Sequence, residues 1–182
     1  MNRVLTSVCL VASMAATSAL SAEPAAKAKA TPSPKAQIQK ALKAGPASIT
    51  AKAAVKDMSG KVLREGSNGW TCYAEPEAMC LDAVWEKWMQ AYMSKGPFKA
   101  DQVGTAYMLA GDNGASNIDP FATGPTADNQ WVAEGPHIMI LMPEASMLDS
   151  IPTDPNSGGP YVMWKGTPYA HIMMPVGPRP KK

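Results

Sequence analysis

The feature that most constrains the fold is an apolar run bounded by prolines, residues 135–143, which reads Gly-Pro-His-Ile-Met-Ile-Leu-Met-Pro. Proline fixes its own φ angle and has no N–H to donate, so it ends regular structure. Apart from His137 the run between the prolines is apolar, and it is short, which predicts a central strand of a sheet. A related run at 169–175 also ends in proline.

Each of these runs contains one of the two histidines of the chain, and each histidine opens a His-Ile-Met triplet. Residues two apart in a strand share a face, so His137 points with Met139, and His171 with Met173. If the two strands are neighbours, two imidazoles and two thioethers converge in a set that suits copper. The alternative is that these methionines simply fill the core.

The N-terminus predicts an exported protein. Residues 1–22 combine Arg3 with a mildly apolar run and small residues, which is the pattern of a signal peptide. We therefore expect a periplasmic or secreted protein that is not transmembrane after the signal is removed. Residues 23–47 are rich in Ala, Lys and Pro and predict a disordered spacer. A single domain at 48–176 and a basic tail at 177–182 complete the chain.

The cysteines fit the same compartment. Removing the signal removes Cys9 and leaves Cys72 and Cys80. An even number of cysteines in an oxidising compartment predicts a disulfide bond between them.

Charge excludes one class of partner. Residues 66–176 carry four lysines against twelve acids, a net charge of −8, whereas residues 23–47 carry five lysines and one glutamate. Nucleic-acid binding requires a basic folded surface, so we expect none. A weak contact between the basic spacer and a membrane surface is consistent with its charge.

The pattern of elements predicts an α+β fold, a mostly antiparallel sheet with one main amphipathic helix packed on it and long polar loops. The helix is expected at 78–94, where apolar residues recur three or four apart, with Cys80 in its first turn. The strands are expected at 49–56, 62–64, 70–73, 103–109, 161–164 and 169–176, in addition to the run described first. The last two should form a hairpin.

The loop at 111–130 is long for a compact domain, and such loops are often functional. It offers oxygen donors that suit calcium, among them Asp112, Asn117 and Asp119, although the same residues also stabilise turns. A hydrolase site at this loop would combine Ser116 or Thr167 with a histidine and an aspartate. Two aromatic residues that flank polar loops are candidates for the wall of a ligand site, namely Trp131 and Tyr161.

Several short blocks resemble uncharacterised exported bacterial proteins. They are Gly-Trp-Thr-Cys at 69–72, Ala-Tyr-Met-Leu at 106–109, Gly-Ala-Ser-Asn at 114–117, and Met-Trp-Lys-Gly-Thr-Pro-Tyr-Ala-His at 163–171. The resemblance covers residues 50–176 and implies no activity. We therefore expect an exported, non-enzymatic module that binds a small molecule or an envelope protein. The alternatives are a periplasmic copper-binding protein and a hydrolase.

Overall fold

A computed structural model of the chain describes residues 32–180. The predicted signal peptide and the spacer up to residue 31 lie outside the described residues. The helices are α1 (Pro34–Ala41), α2 (Ala47–Thr50) and α3 (Ala83–Met93), with a 3-10 turn at Ala145–Leu148. The strands are β1 (Ala54–Lys56), β2 (Val62–Arg64), β3 (Thr71–Tyr73), β4 (Met79–Leu81), β5 (Gly104–Met108), β6 (Ala115–Ser116), β7 (Trp131–Val132), β8 (His137–Leu141), β9 (Tyr161–Met163) and β10 (His171–Pro175).

Eight strands form one sheet in the order β2-β1-β3-β4-β5-β8-β10-β9, while β6 pairs with β7 in a separate ribbon. Neighbours in the large sheet are antiparallel except β1 and β3, which are parallel. The protein is thus a sheet-rich mixed α/β fold with few helices. The predicted hairpin of β9 and β10 is confirmed, and β9 lies at the edge of the sheet.

The start of α3 was predicted five residues too early. Asp82 caps the helix, because its Oδ1 accepts hydrogen bonds from the N–H groups of Val84 and Trp85. Cys80 therefore lies in β4 instead of the helix, directly opposite Cys72 in β3, to which it is joined by a disulfide bond. The bond links two neighbouring strands and does not staple the helix to the sheet.

The folded part of the chain begins earlier than the composition suggested. Residues 34–50 form α1 and α2, so the predicted spacer is folded in its second half, and the strand predicted from residue 49 begins at Ala54. Ala41 and Ala44 are fully buried against the disulfide. Their small side chains let the chain pass close to Cys80. The Ala-rich composition had predicted that this segment has nothing to bury.

The start of the predicted basic tail is also held in place. Arg179 donates hydrogen bonds to the carboxylate of Glu134, which is 1% exposed. Gly135 makes this possible, because a side chain there would collide with the carbonyl of Pro178. The C-terminal segment therefore packs beside the entrance to β8.

Different elements pack on the two faces of the sheet. Val84, Trp85 and Trp88 of α3 pack on one face, where Gly104 of β5 lets the helix approach closely. The disulfide packs with α1 on the opposite face. Within residues 32–180, no helix is long and apolar enough to cross a membrane.

Candidate functional site

Strand pairing places the two His-x-Met pairs on the same face of the sheet. β8 and β10 are antiparallel neighbours, and Met139 lies directly opposite Met173. Residues opposite each other in a sheet share a face, so the histidines two positions away share it too. The register separates the imidazoles, however. His137 lies opposite Pro175, whereas His171 lies at the other end of the paired segment.

The neighbouring strands add one more methionine beside each histidine. Met108 of β5 is directly opposite His137, and Met163 of β9 is directly opposite His171. Each histidine therefore has one thioether across the strand and another two residues along its own strand. All of these methionines and histidines are at most 8% exposed.

This face of the sheet forms the floor of a cavity of about 220 Å³. Trp85, Trp88 and other residues of α3 line the opposite side. Eight of the twenty lining residues are methionines, so the cavity is dominated by thioethers and aromatic rings. At its mouth lie Met58 and Met93, which are 39% and 63% exposed.

Both histidines are held in one tautomer. Nδ1 of His137 donates to the carbonyl of Gly135 at 2.8 Å, and Nδ1 of His171 donates to the carbonyl of Tyr169 at 2.9 Å. A carbonyl only accepts, so Nδ1 holds the proton and Nε2 carries a free lone pair. Both Nε2 atoms are buried and have no hydrogen-bond partner. This is the arrangement of a metal-binding imidazole, whose other nitrogen is typically fixed by a backbone carbonyl.

Burial keeps both imidazoles neutral. It lowers the pKa of His171 to about 4, and it also lowers the pKa of His137. Three indoles surround His171 edge-on, with ring centroids at 5.3 Å (Trp85), 5.8 Å (Trp88) and 5.1 Å (Trp164). At neutral pH each histidine is thus a neutral Lewis base, and the surroundings of His171 are aromatic.

The two ends of the cavity differ in charge. Oδ2 of Asp112 lies 3.9 Å from Nε2 of His137, and burial raises the pKa of Asp112 to about 6. Glu77 also lines this end, and burial raises its pKa as well. The indoles enclose the other end. The sheet face is chemically symmetrical around Met139 and Met173, but its surroundings are not.

The cavity also contains unused hydrogen-bond donors. Nε1 of Trp85 and Nε1 of Trp88 are buried without partners. In the described part of the chain, four of the six such side-chain atoms belong to residues that line this cavity. Buried polar atoms without partners destabilise a fold, so their concentration here makes this cavity the candidate site.

The other predicted site residues lie elsewhere or have structural roles. Asn117 donates to Gln130 and to a backbone carbonyl, and Asp119 accepts from the N–H of Phe121 two residues on. Tyr161 donates to the buried Glu134. Trp131 lines a separate surface groove with Arg179. The structure brings none of these four residues to the cavity.

The contacts of the hydroxyl groups do not support the hydrolase hypothesis. Ser116 Oγ donates to the carbonyl of Asn129, and Thr167 Oγ1 donates to the carbonyl of Trp164. Neither hydroxyl is hydrogen-bonded to a histidine, because both imidazoles use Nδ1 for a backbone carbonyl and leave Nε2 unpartnered.

The loop oxygens are used in turns. Oδ1 of Asp112 and Oδ1 of Asp154 each accept from the N–H two residues on, as in the Asx-turns typical of such residues. Within residues 32–180, no group of three or more His, Cys, Asp or Glu side chains is arranged to hold a metal ion.

The sequence did not reveal Met108, Met163 or the three indoles around His171 as parts of the site. Spacing within a strand shows which residues share a face, but it does not show which strand lies beside it. Met163 lies two residues after Tyr161, and Met108 ends an alternating strand, so each was visible only as a core residue.

Comparison with known proteins adds no assignment. No protein-family model, no curated protein and no solved structure matches this chain.

Proposed function

We propose that the protein is an exported binding protein that holds monovalent copper in this cavity. The observation that carries the proposal is the pair of buried, neutral imidazoles with free Nε2 lone pairs, each beside two thioethers. Imidazole and thioether together favour Cu(I) over harder cations such as Mg²⁺, Ca²⁺ and Mn²⁺, which prefer oxygen ligands.

The compartment strengthens this choice of ligands. The signal-like N-terminus and the Cys72–Cys80 disulfide both fit export to the periplasm or the outside. In such a compartment thiolates are lost to disulfide bonds, so the soft ligands that remain are methionine and histidine. The low pKa of His171 keeps its Nε2 available even in mild acid.

The test is a competition for Cu(I) between the mature protein and a chromogenic chelator, without oxygen and with ascorbate as the reductant so that the disulfide stays intact. We expect the protein to remove copper from the chelator, and the double variant His137→Phe/His171→Phe to lose this ability while keeping a cooperative melt. Met147→Leu is the matched control, because this methionine is 49% exposed and does not line the cavity. A wild-type protein that leaves the chelator fully loaded would refute the proposal.

A second function is favoured by one observation, the unpartnered N–H groups of Trp85 and Trp88. These donors have nothing to offer a cation, but they suit a small, mostly apolar molecule that carries an acceptor group. Native mass spectrometry of the protein as purified tests this alternative. An organic adduct that survives Met→Leu changes in the cavity but disappears in Trp85→Phe/Trp88→Phe would support it over copper.

A further inference from the structure

We infer that the cavity holds two Cu(I) ions, one for each histidine. This inference rests on the proposed function and specifies its stoichiometry. The first set of ligands is His137 with Met108 and Met139, and the second set is His171 with Met163 and Met173. In each set one methionine lies directly opposite the histidine on the neighbouring strand, and the other lies two residues further along the histidine's own strand.

The register of β8 and β10 argues against one shared ion. Ile172 pairs with Ile140, so the residue beside His171 is Leu141, four positions from His137. Four residues correspond to about 13 Å along a strand. A single ion bound to both imidazoles needs the two Nε2 atoms within about 4 Å of each other, since each metal–nitrogen bond is roughly 2.0–2.1 Å long.

The hydrogen bonds of the two rings keep them apart. Each Nδ1 donates to a carbonyl two residues before it in the sequence: His137 to Gly135 and His171 to Tyr169. Because β8 and β10 are antiparallel, these two carbonyls lie beyond opposite ends of the paired segment. The Nδ1 atoms of the two rings are therefore fixed toward opposite ends of the segment, which leaves each Nε2 without a hydrogen-bond partner on its own strand.

Each set is sufficient for Cu(I) by itself. One imidazole and two thioethers give a neutral three-ligand site, and a soft monovalent ion does not need an anionic ligand. Methionine has three rotatable bonds and a polarizable sulfur, so the thioethers can adjust their positions around an ion. Met139 and Met173 face each other at the centre, which places the two sites side by side along the floor of the cavity.

The two sites differ in what surrounds them, which allows them to be told apart. The His171 set lies among the three indoles, whereas the His137 set lies toward Asp112. An ion in the His171 set should quench tryptophan fluorescence, and an ion in the His137 set should quench it much less. Each ion would lie between its histidine and the central methionines, so the two charges would be less than about 13 Å apart. At an effective dielectric constant of about 20, their repulsion should make the second ion bind at least tenfold more weakly than the first.

The experiment is an anaerobic titration of the mature chain with Cu(I), followed by native mass spectrometry and tryptophan fluorescence. Wild type and Met147→Leu should saturate at two ions. His137→Phe should keep one ion and most of the quenching, whereas His171→Phe should keep one ion and lose most of the quenching. If a histidine variant does not fold, Met108→Leu or Met163→Leu replaces it, since these changes conserve volume and weaken one set only.

The outcomes separate the two proposals. Saturation of the wild type at a single ion overturns the two-ion inference and leaves copper binding intact. Loss of all copper from either single histidine variant has the same meaning, because it shows one shared site. A wild-type protein that takes up no Cu(I) removes both proposals together.

Discussion

Replacing His171 with leucine should make acid less destabilising for the metal-free protein than it is for the wild type. His171 is 1% exposed, and burial lowers its pKa from 6.5 to about 4. Between these values the unfolded chain takes up a proton that the folded protein does not bind, so stability falls as the pH falls. Each pKa unit corresponds to about 1.4 kcal/mol, so lowering the pH from about 7.5 to 4.5 should cost about 2.5 kcal/mol.

Asp112 acts in the opposite direction. Burial raises its pKa from 3.8 to about 6, so over the same interval the folded protein takes up a proton before the unfolded chain does. This should stabilise the fold by about 2 kcal/mol as the pH falls. The two contributions nearly cancel in the wild type. In His171→Leu only the stabilisation by acid that comes from Asp112 remains. In Asp112→Asn only the destabilisation by acid that comes from His171 remains.

Urea unfolding at the two pH values, with a chelator present to remove metal, measures these changes. Relative to the wild type, acid should stabilise His171→Leu by about 2.5 kcal/mol and destabilise Asp112→Asn by about 2 kcal/mol. His137 and Glu77 titrate as well and are unchanged in His171→Leu. In Asp112→Asn the loss of the neighbouring carboxylate also lowers the pKa of Glu77, which adds to the destabilisation by acid. An equal response of all three proteins to acid would show that burial does not hold His171 neutral.

Three further predictions concern the stability of the disulfide and of the C-terminal segment. Replacing Cys72 and Cys80 with alanine should lower the free energy of unfolding by roughly 2–3 kcal/mol, and thiol labelling of the intact wild type should find neither cysteine free. Arg179→Ala should cost about 2–3 kcal/mol in urea unfolding, because it leaves the buried carboxylate of Glu134 without its cation, and adding Glu134→Gln should recover part of the loss. Gly135→Ala should displace the same C-terminal segment, so the double variant Gly135→Ala/Arg179→Ala should lose less stability than the sum of the two single losses. A loss equal to that sum would contradict a shared mechanism.

Local patterns predicted most of the strands well. The alternating and apolar runs at β5, β8, β9 and β10 lie where expected, because a buried strand needs only a two-residue period and turn residues at its ends. The start of α3 was missed because acids at both Glu77 and Asp82 suit a helix N-terminus. Only the contacts of Asp82 with two backbone N–H groups decide between them.

The N-terminal boundary shows the limit of composition as evidence. An Ala- and Lys-rich segment has little apolar surface, so it was expected to stay unfolded. Ala41 and Ala44 are nevertheless fully buried, because a disulfide on a sheet face leaves room only for small side chains. Whether such a segment folds depends on the surface it meets, which the segment itself does not encode.

The candidate site was predictable only in part, because spacing within a strand can be read from the sequence and the register between strands cannot. The His-x-Met spacing correctly predicted that each histidine shares a face with its methionine, and the two strands are indeed neighbours. The offset between His137 and His171 depends on register, which is set by the turns and by the rest of the sheet. In the two-ion proposal, that offset replaces one set of four ligands with two sets of three.

The position of β9 at the edge of the sheet has a consequence for self-association. The N–H groups of Val162 and Trp164 donate to the carbonyls of Pro152 and Asn117, at 2.8 and 2.9 Å. Asn117 belongs to the loop at 111–130, and Pro152 belongs to a second polar loop, residues 152–160, which is rich in Pro and Gly. The two loops therefore occupy hydrogen-bonding positions that an exposed edge would offer to another chain. Shortening either loop should promote β-aggregation even where every residue of the cavity is kept.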